Sequence, residues 1–205
     1  MNLEADQSPL GARGLIFLPY LLGERSPRWN PNARGAFLGL TMTHKRADMI
    51  RAVLEGISLN LRVILEAFLD QGAEIEAIRV IGGGARSKLW NQIMANVYGR
   101  TILRPALLEE ATSMGAAIAG GVGVGLFPDF SVAERLTPIA AITEVDPEAK
   151  AVYDRLYEVF EAAYQALVPI YDQIAALPPR PMGPPRGLSI PSSSQARSST
   201  STAAT

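Results

Sequence analysis

The sequence predicts an α/β domain in which helices cover a sheet of short strands, and three observations carry that reading. Apolar residues recur at intervals of three and four over residues 45–71 and again over residues 147–176, the spacing of long amphipathic helices. Short β-branched runs at residues 77–81 and 101–103 alternate with the helical stretches. The first of these runs passes directly into three glycines and a helix start, the strand, turn and helix order of α/β proteins.

Taken from the start, residues 14–22 (GLIFLPYLL) form a mostly apolar run consistent with a buried strand or an extended segment, and Gly23-Glu24-Arg25-Ser26-Pro27 continues it as a polar loop. A second strand is expected at residues 36–40, after Arg34-Gly35. Thr43 is a plausible N-cap for the first long helix. On that helix Ile50, Val53, Leu54, Ile57, Leu61, Ile64, Leu65 and Phe68 share one face, and Gly72 supplies the stop. A second helix follows the glycines over residues 87–98, and a Gly- and Ala-rich helix is expected over residues 111–122. The last helix starts at Pro147, with Asp146 as its cap. From residue 178 the chain becomes Pro-rich and then a Ser/Thr/Ala run, which offers little apolar surface to bury and is expected to stay disordered.

Composition narrows the function classes. The 19 basic and 20 acidic residues are interspersed and leave a formal net charge of −1, so no basic stripe tracks a nucleic-acid backbone. The absence of cysteine removes disulfide scaffolds, cysteine-ligated zinc and thiol catalysis. No apolar run reaches the length of a membrane span and no leader pattern opens the chain, so the expectation is a cytoplasmic protein with neither membrane nor nucleic acid as partner.

The central chemical feature is Gly82-Gly83-Gly84-Ala85-Arg86-Ser87 between the strand and the helix. Without β-carbons, a flat or phosphorylated ligand can lie against the main chain, where helix-start amides carry the positive end of the dipole. The alternative is that the glycines only make a tight turn and that Ser87 caps the helix. The segment is neither a GxxxxGK[ST] phosphate loop nor a GxGxxG fingerprint. The Gly121-Val122-Gly123-Val124-Gly125 run is better explained by close packing and helix termination. Asp48 and Glu55 lie on a helix where Arg51 can pair with them, and the structural reading is preferred for both. His44, the single histidine, reads as a surface or capping residue. The arginines Arg25 and Arg34, with Glu24, serve either to clamp a phosphate or to anchor their loop. Trp29 stacks on a sugar or, more usually for a lone tryptophan, covers the edge of the core.

Four blocks in order resemble the C-terminal domain of FGGY carbohydrate kinases, and most of all its xylulokinase members. They are the residue 14–27 run with Ala33-Arg34-Gly35-Ala36-Phe37 after it, residues 35–40 with Asp48-Met49 and Ala52-Val53-Leu54-Glu55, the Ile81 to Gln92 segment around the glycines, and Glu110 with Gly115-Ala116-Ala117. The resemblance implies a ribonuclease H-like fold of the actin and hexokinase type, as the C-terminal half of a two-domain sugar kinase. The implied organisation is a run-in over residues 1–13, a nucleotide-binding domain over residues 14–177 and a tail over residues 178–205.

By the same resemblance, Gly82, Gly83, Gly84 and Ala85 line an adenosine pocket, with ATP and Mg2+ as cofactors, and Lys88 stands where some relatives carry an amide. The implied reaction moves the γ-phosphoryl of ATP to a sugar hydroxyl, with D-xylulose giving D-xylulose 5-phosphate. Sugar and the aspartate base belong to an N-terminal domain, so no catalytic residue and no metal ligand is assigned within this chain, and the chain by itself is expected to be inactive. A homodimer or association with an N-terminal half is the expected partnership. The alternative is a truncated, catalytically inactive nucleotide-binding or interaction module.

Overall fold

Residue parity along the first strand sets how the domain is assembled. In the computed structural model, which describes residues 2–108 and 110–178, strand β1 (Ile16–Leu18) is buried along its whole length. Ile16, Leu18 and Tyr20 enter the main core, whereas Leu15 and Phe17 join Ala12 and Ala52 in a second cluster on the opposite side. Successive strand side chains point to opposite faces, so a strand covered on both reads as an unbroken apolar run. This strand follows a short helix, α1 (Asn2–Ala5), and pairs antiparallel with β2 (Ala36–Leu38), Phe17 facing Phe37.

Helix α2 (Arg46–Asp70) covers this ribbon. The Thr43 cap expected from the sequence is not the one used. The α2 start is closed by Asp48, whose Oδ2 accepts the Lys45 N–H at 2.8 Å, while Thr43 pairs with Thr41 through their hydroxyls. Gly72, at φ +84°, stops the helix as expected.

The second sheet has three strands, β3 (Ala77–Arg79), β4 (Thr101–Pro105) and β5 (Ile139–Thr143). β4 lies in the middle, parallel to β3 and antiparallel to β5, and its Ile102 is fully buried. Helix α3 (Lys88–Tyr98) connects β3 to β4 and packs against β4, α2 and the long final helix. Helices α4 (Ala111–Gly123) and α5 (Val132–Leu136) precede β5, and α6 (Pro147–Ala175) ends the unit. Asp146 caps α6 by accepting the Glu148 and Ala149 N–H groups at 3.0 and 3.2 Å. The buried face of α6 presents Tyr153, Phe160, Tyr164 and Tyr171 to the same core as Leu18, Leu54 and Ile93. A separate unit begins at Ala176, and the tail expected from residue 178 lies, beyond that residue, outside the described residues.

Both β5 and α5 escaped the sequence reading. β5 alternates between half-buried and exposed positions and carries two alanines, which have low strand propensity, so its pairing with β4 comes from tertiary contact. Residues 5–12, read as a run-in, pack against α2. Ser8 donates to Asp48 at 2.6 Å, and the Gly11 N–H donates to Glu55 at 3.0 Å. Glu55, 3% exposed, also accepts from Arg51 Nε and from the Tyr153 hydroxyl, both at 2.8 Å, which ties α2 to the N-terminal segment and to α6.

Two substitutions test this assembly by urea denaturation. A β-carbon at Gly56 would stand 2.1 Å from the Phe17 carbonyl oxygen, so Gly56→Ala forces α2 off β1 and is expected to cost about 1–3 kcal/mol or more. Arg51→Ala leaves the Glu55 carboxylate buried without its cation, for an expected loss of about 3–5 kcal/mol.

Candidate functional site

The residue 77–81 run behaves as a strand only as far as Arg79, and the ladder then extends by one further bond, Val80 N–H to the Leu103 carbonyl at 3.0 Å. The chain next turns at Gly82, whose φ of +78° and ψ of −169° are open only to glycine. Gly83–Arg86 forms one 3-10 turn, closed by Ala85 N–H to the Gly82 carbonyl at 3.2 Å. Ser87 ends the turn and caps α3, its Oγ accepting the Trp90 N–H at 3.1 Å.

Facing this turn, Leu108 and the first residues of α4 complete a cavity of about 450 Å³ lined by Ile81, Gly82, Gly83, Arg86, Leu108, Ala111 and Thr112. Of the four residues assigned to a pocket from the sequence, Gly82 and Gly83 line it, and no heavy atom lies within 4 Å of where their β-carbons would stand. Gly84 faces inward instead. A β-carbon there would lie 2.8 Å from the Trp90 ring. Ala85 is fully buried and its carbonyl accepts from Asn91 Nδ2 at 2.9 Å. The glycine triplet therefore divides into two positions that open the main chain to the cavity and one that admits the tryptophan. Trp90 in turn donates its indole N–H to Ser58 Oγ at 3.1 Å, which moors the turn and α3 to α2.

The cavity thus offers exposed main chain on one side, apolar surface from Ile81, Leu108 and Ala111, a guanidinium from Arg86 and a hydroxyl from Thr112. Such a mixture is chemically suited to a flat, partly apolar ligand bearing negative charge. Among the described residues, no carboxylate lines the cavity. Sequence reasoning missed Leu108, Ala111 and Thr112, although the Glu110 and Gly115-Ala116-Ala117 block lay beside them, because only the chain's return brings α4 to face the turn. Lys88 is not part of this cavity. No group of three or more metal-ligating side chains occurs among the described residues.

The remaining candidates lie elsewhere. Asp48 and Glu55 make the buried contacts described above, and the Ser8 hydroxyl, then the Lys45 N–H and Arg13, hold the Asp48 carboxyl below its usual range. His44 Nδ1 accepts the Thr41 N–H at 2.9 Å and organises the loop before α2. Arg34 anchors its own loop through the Pro31 and Ala33 carbonyls. Trp29 does not cover the core edge as expected, being 74% exposed in a loop that holds its φ at +52°. Gly121 provides close packing, since its face abuts the Phe127 ring.

No helix among the described residues is long and apolar enough to cross a membrane. Residues 1–124 match the C-terminal domain of the FGGY family of carbohydrate kinases. A xylulose kinase of Staphylococcus epidermidis is 39% identical over 166 residues, 80% of this chain and 33% of that protein. Among solved structures, ligand-bound xylulose kinase from Lactobacillus acidophilus superposes with a TM-score of 0.76 at 33% identity, over 83% of this chain and 35% of the other. Plasmodium falciparum glycerol kinase with ADP gives 0.66 at 27% identity, over 82% and 33%. The chain spans about one third of the length of these relatives. Its α/β fold is accordingly the ribonuclease H-like one of the actin and hexokinase type, and the chain belongs to the FGGY family of carbohydrate kinases, as a C-terminal domain.

Proposed function

We propose that this chain supplies the nucleotide-holding side of an ATP-dependent sugar kinase whose acceptor is D-xylulose. The observation that carries the reading is the cavity between Gly82-Gly83 and the start of α4. Its open glycine faces admit a ligand onto the main chain, and the Leu108 and Ala111 surfaces suit an adenine ring. Arg86 and Thr112 are the groups that would meet ribose or phosphate oxygens. The glycerol kinase that resembles this chain was solved with ADP, which supports the nucleotide. D-Xylulose is supported by the xylulose kinases among the relatives and by the residue 14–27 block.

Phosphoryl transfer also needs a base at the attacking hydroxyl and a metal bridging the phosphates. Among the described residues, the cavity lining supplies no carboxylate for either role. Both would come from the portion of a kinase that this chain does not match, along with the sugar site, and association with that portion would restore turnover. Mg2+ would then reach the site on the nucleotide's own phosphates.

Isothermal titration with ADP tests the nucleotide reading. ADP is expected to bind the chain, and Gly83→Val to weaken it by at least about tenfold by filling the open face. The urea midpoint should stay unchanged, because Gly83 lies outside the positive-φ region and its added β-carbon meets no neighbour. Unaltered ADP binding in this variant, or none in the parent chain, overturns the assignment. In a coupled assay with ATP and D-xylulose, the chain alone is expected to show no turnover above the blank. Combined with the remaining two thirds of a xylulose kinase, it should phosphorylate D-xylulose ahead of glycerol, gluconate and D-ribulose.

A further inference from the structure

The ligand face of the glycine turn is made of the two residues least able to fix their own conformation. No heavy atom lies within 4 Å of where a β-carbon of Gly82 or Gly83 would stand, so packing on that side does not restrain them. Glycine has the widest backbone freedom of any residue, and a ligand that has to order it loses affinity by the entropy removed. Whatever orders these two residues beforehand therefore sets how tightly the turn binds. Order reaches them from the residues that follow, since the Gly82 carbonyl accepts the Ala85 N–H at 3.2 Å.

Those following residues are gripped from behind. The Trp90 ring comes within 2.8 Å of the position a Gly84 β-carbon would take, and the Trp90 main-chain N–H donates to Ser87 Oγ at 3.1 Å. Asn91, 4% exposed, donates from Nδ2 to the Ala85 carbonyl at 2.9 Å. The Trp90 indole N–H then crosses to α2 and donates to Ser58 Oγ at 3.1 Å. Ser58 is fully buried, and its hydroxyl donates to the Leu54 carbonyl at 2.9 Å, which leaves the oxygen as acceptor for the indole. The indole is thus fixed at its far end by α2 and at its near end by the cap of α3, and it cannot slide off Gly84 without breaking a bond. Neither Ser58 nor Trp90 lines the cavity, so neither touches a ligand seated there.

We propose that Ser58 and Trp90 are positioning residues of the glycine-turn site: their hydrogen bond, acting through the ring on Gly84, holds the Gly82-Gly83 main chain in the form that accepts nucleotide. The proposal rests on the nucleotide reading of that cavity. Without the bond the indole is free to move with Gly84, and ordering two glycines becomes part of the cost of binding. Helix α2 thereby sets affinity at a cavity to which it contributes no lining residue.

The test titrates ADP calorimetrically into the 205-residue chain, into Ser58→Ala, into Trp90→Phe and into the double variant, with far-UV circular dichroism checking that each folds. Each single variant is expected to bind ADP about three- to tenfold more weakly, the range of one hydrogen bond. The double variant should bind no more weakly than the weaker-binding single one, because both changes remove the same bond. Ile93→Val thins the main core on the same helix and serves as the comparator, which should lower the urea midpoint and leave ADP affinity unchanged. In the ligand-free chain, the Gly82 and Gly83 amide resonances of isotope-labelled glycine should move in Ser58→Ala and stay in place in Ile93→Val. Full ADP affinity in folded Ser58→Ala and Trp90→Phe overturns the proposal, as do an equal loss in Ile93→Val and additive losses in the double variant. If the parent chain binds no ADP, the nucleotide reading falls and the glycine resonances decide by themselves: unmoved, they overturn the positioning role as well, and moved, they uphold it for the turn.

Discussion

The Glu55 carboxylate is the joint on which the rest of this domain hangs. It accepts three donors from three parts of the chain, namely the Gly11 N–H, the Arg51 guanidinium and the Tyr153 hydroxyl. Arg51 also reaches back to the Ser8 carbonyl at 2.9 Å. All three converge on Oε1, and a carboxylate this deeply buried is tolerable only when such donors replace water, so the three segments are constrained together. One residue further along α2, Gly56 brings the helix backbone against Phe17 of β1. Polar satisfaction and close approach thus fix α2 against the ribbon at neighbouring positions.

From α2 the constraint passes to the glycine turn. Ser58 donates to the Leu54 carbonyl at 2.9 Å and accepts from the Trp90 indole, and the Trp90 ring lies over Gly84. The turn is therefore held from behind by packing, which leaves the outer faces of Gly82 and Gly83 open. A site built this way is preorganised: its main chain is exposed to ligand because its other side is filled. The same helix, through Ile57, Leu61 and Ile64, also walls a separate surface cavity beside the loop after β1.

Much of this was legible in the residues. The long amphipathic helices announced themselves by spacing, and the order of strand, glycines and helix named the α/β class before any coordinate. β1 was legible as a continuous apolar run because it is covered on both faces. By contrast, β5 was invisible, since Ile139–Thr143 has no periodic burial strong enough to separate it from a loop and becomes a strand only beside β4. The cap of α2 was misplaced for a related reason. Thr43 has the side chain of a cap, but Asp48, braced by Ser8 from far away in sequence, takes the Lys45 N–H.

The sequence by itself determined that a glycine turn stands between strand and helix, because local backbone freedom is written in residue type. It also determined family membership, through four blocks in fixed order. Only the tertiary structure decided which glycines face a cavity, because that depends on where Trp90 and the start of α4 come to rest. It likewise decided that Tyr20 enters the main core with its hydroxyl unmatched. Burial and hydrogen-bond satisfaction are properties of what surrounds a residue, and those surroundings come from distant parts of the chain.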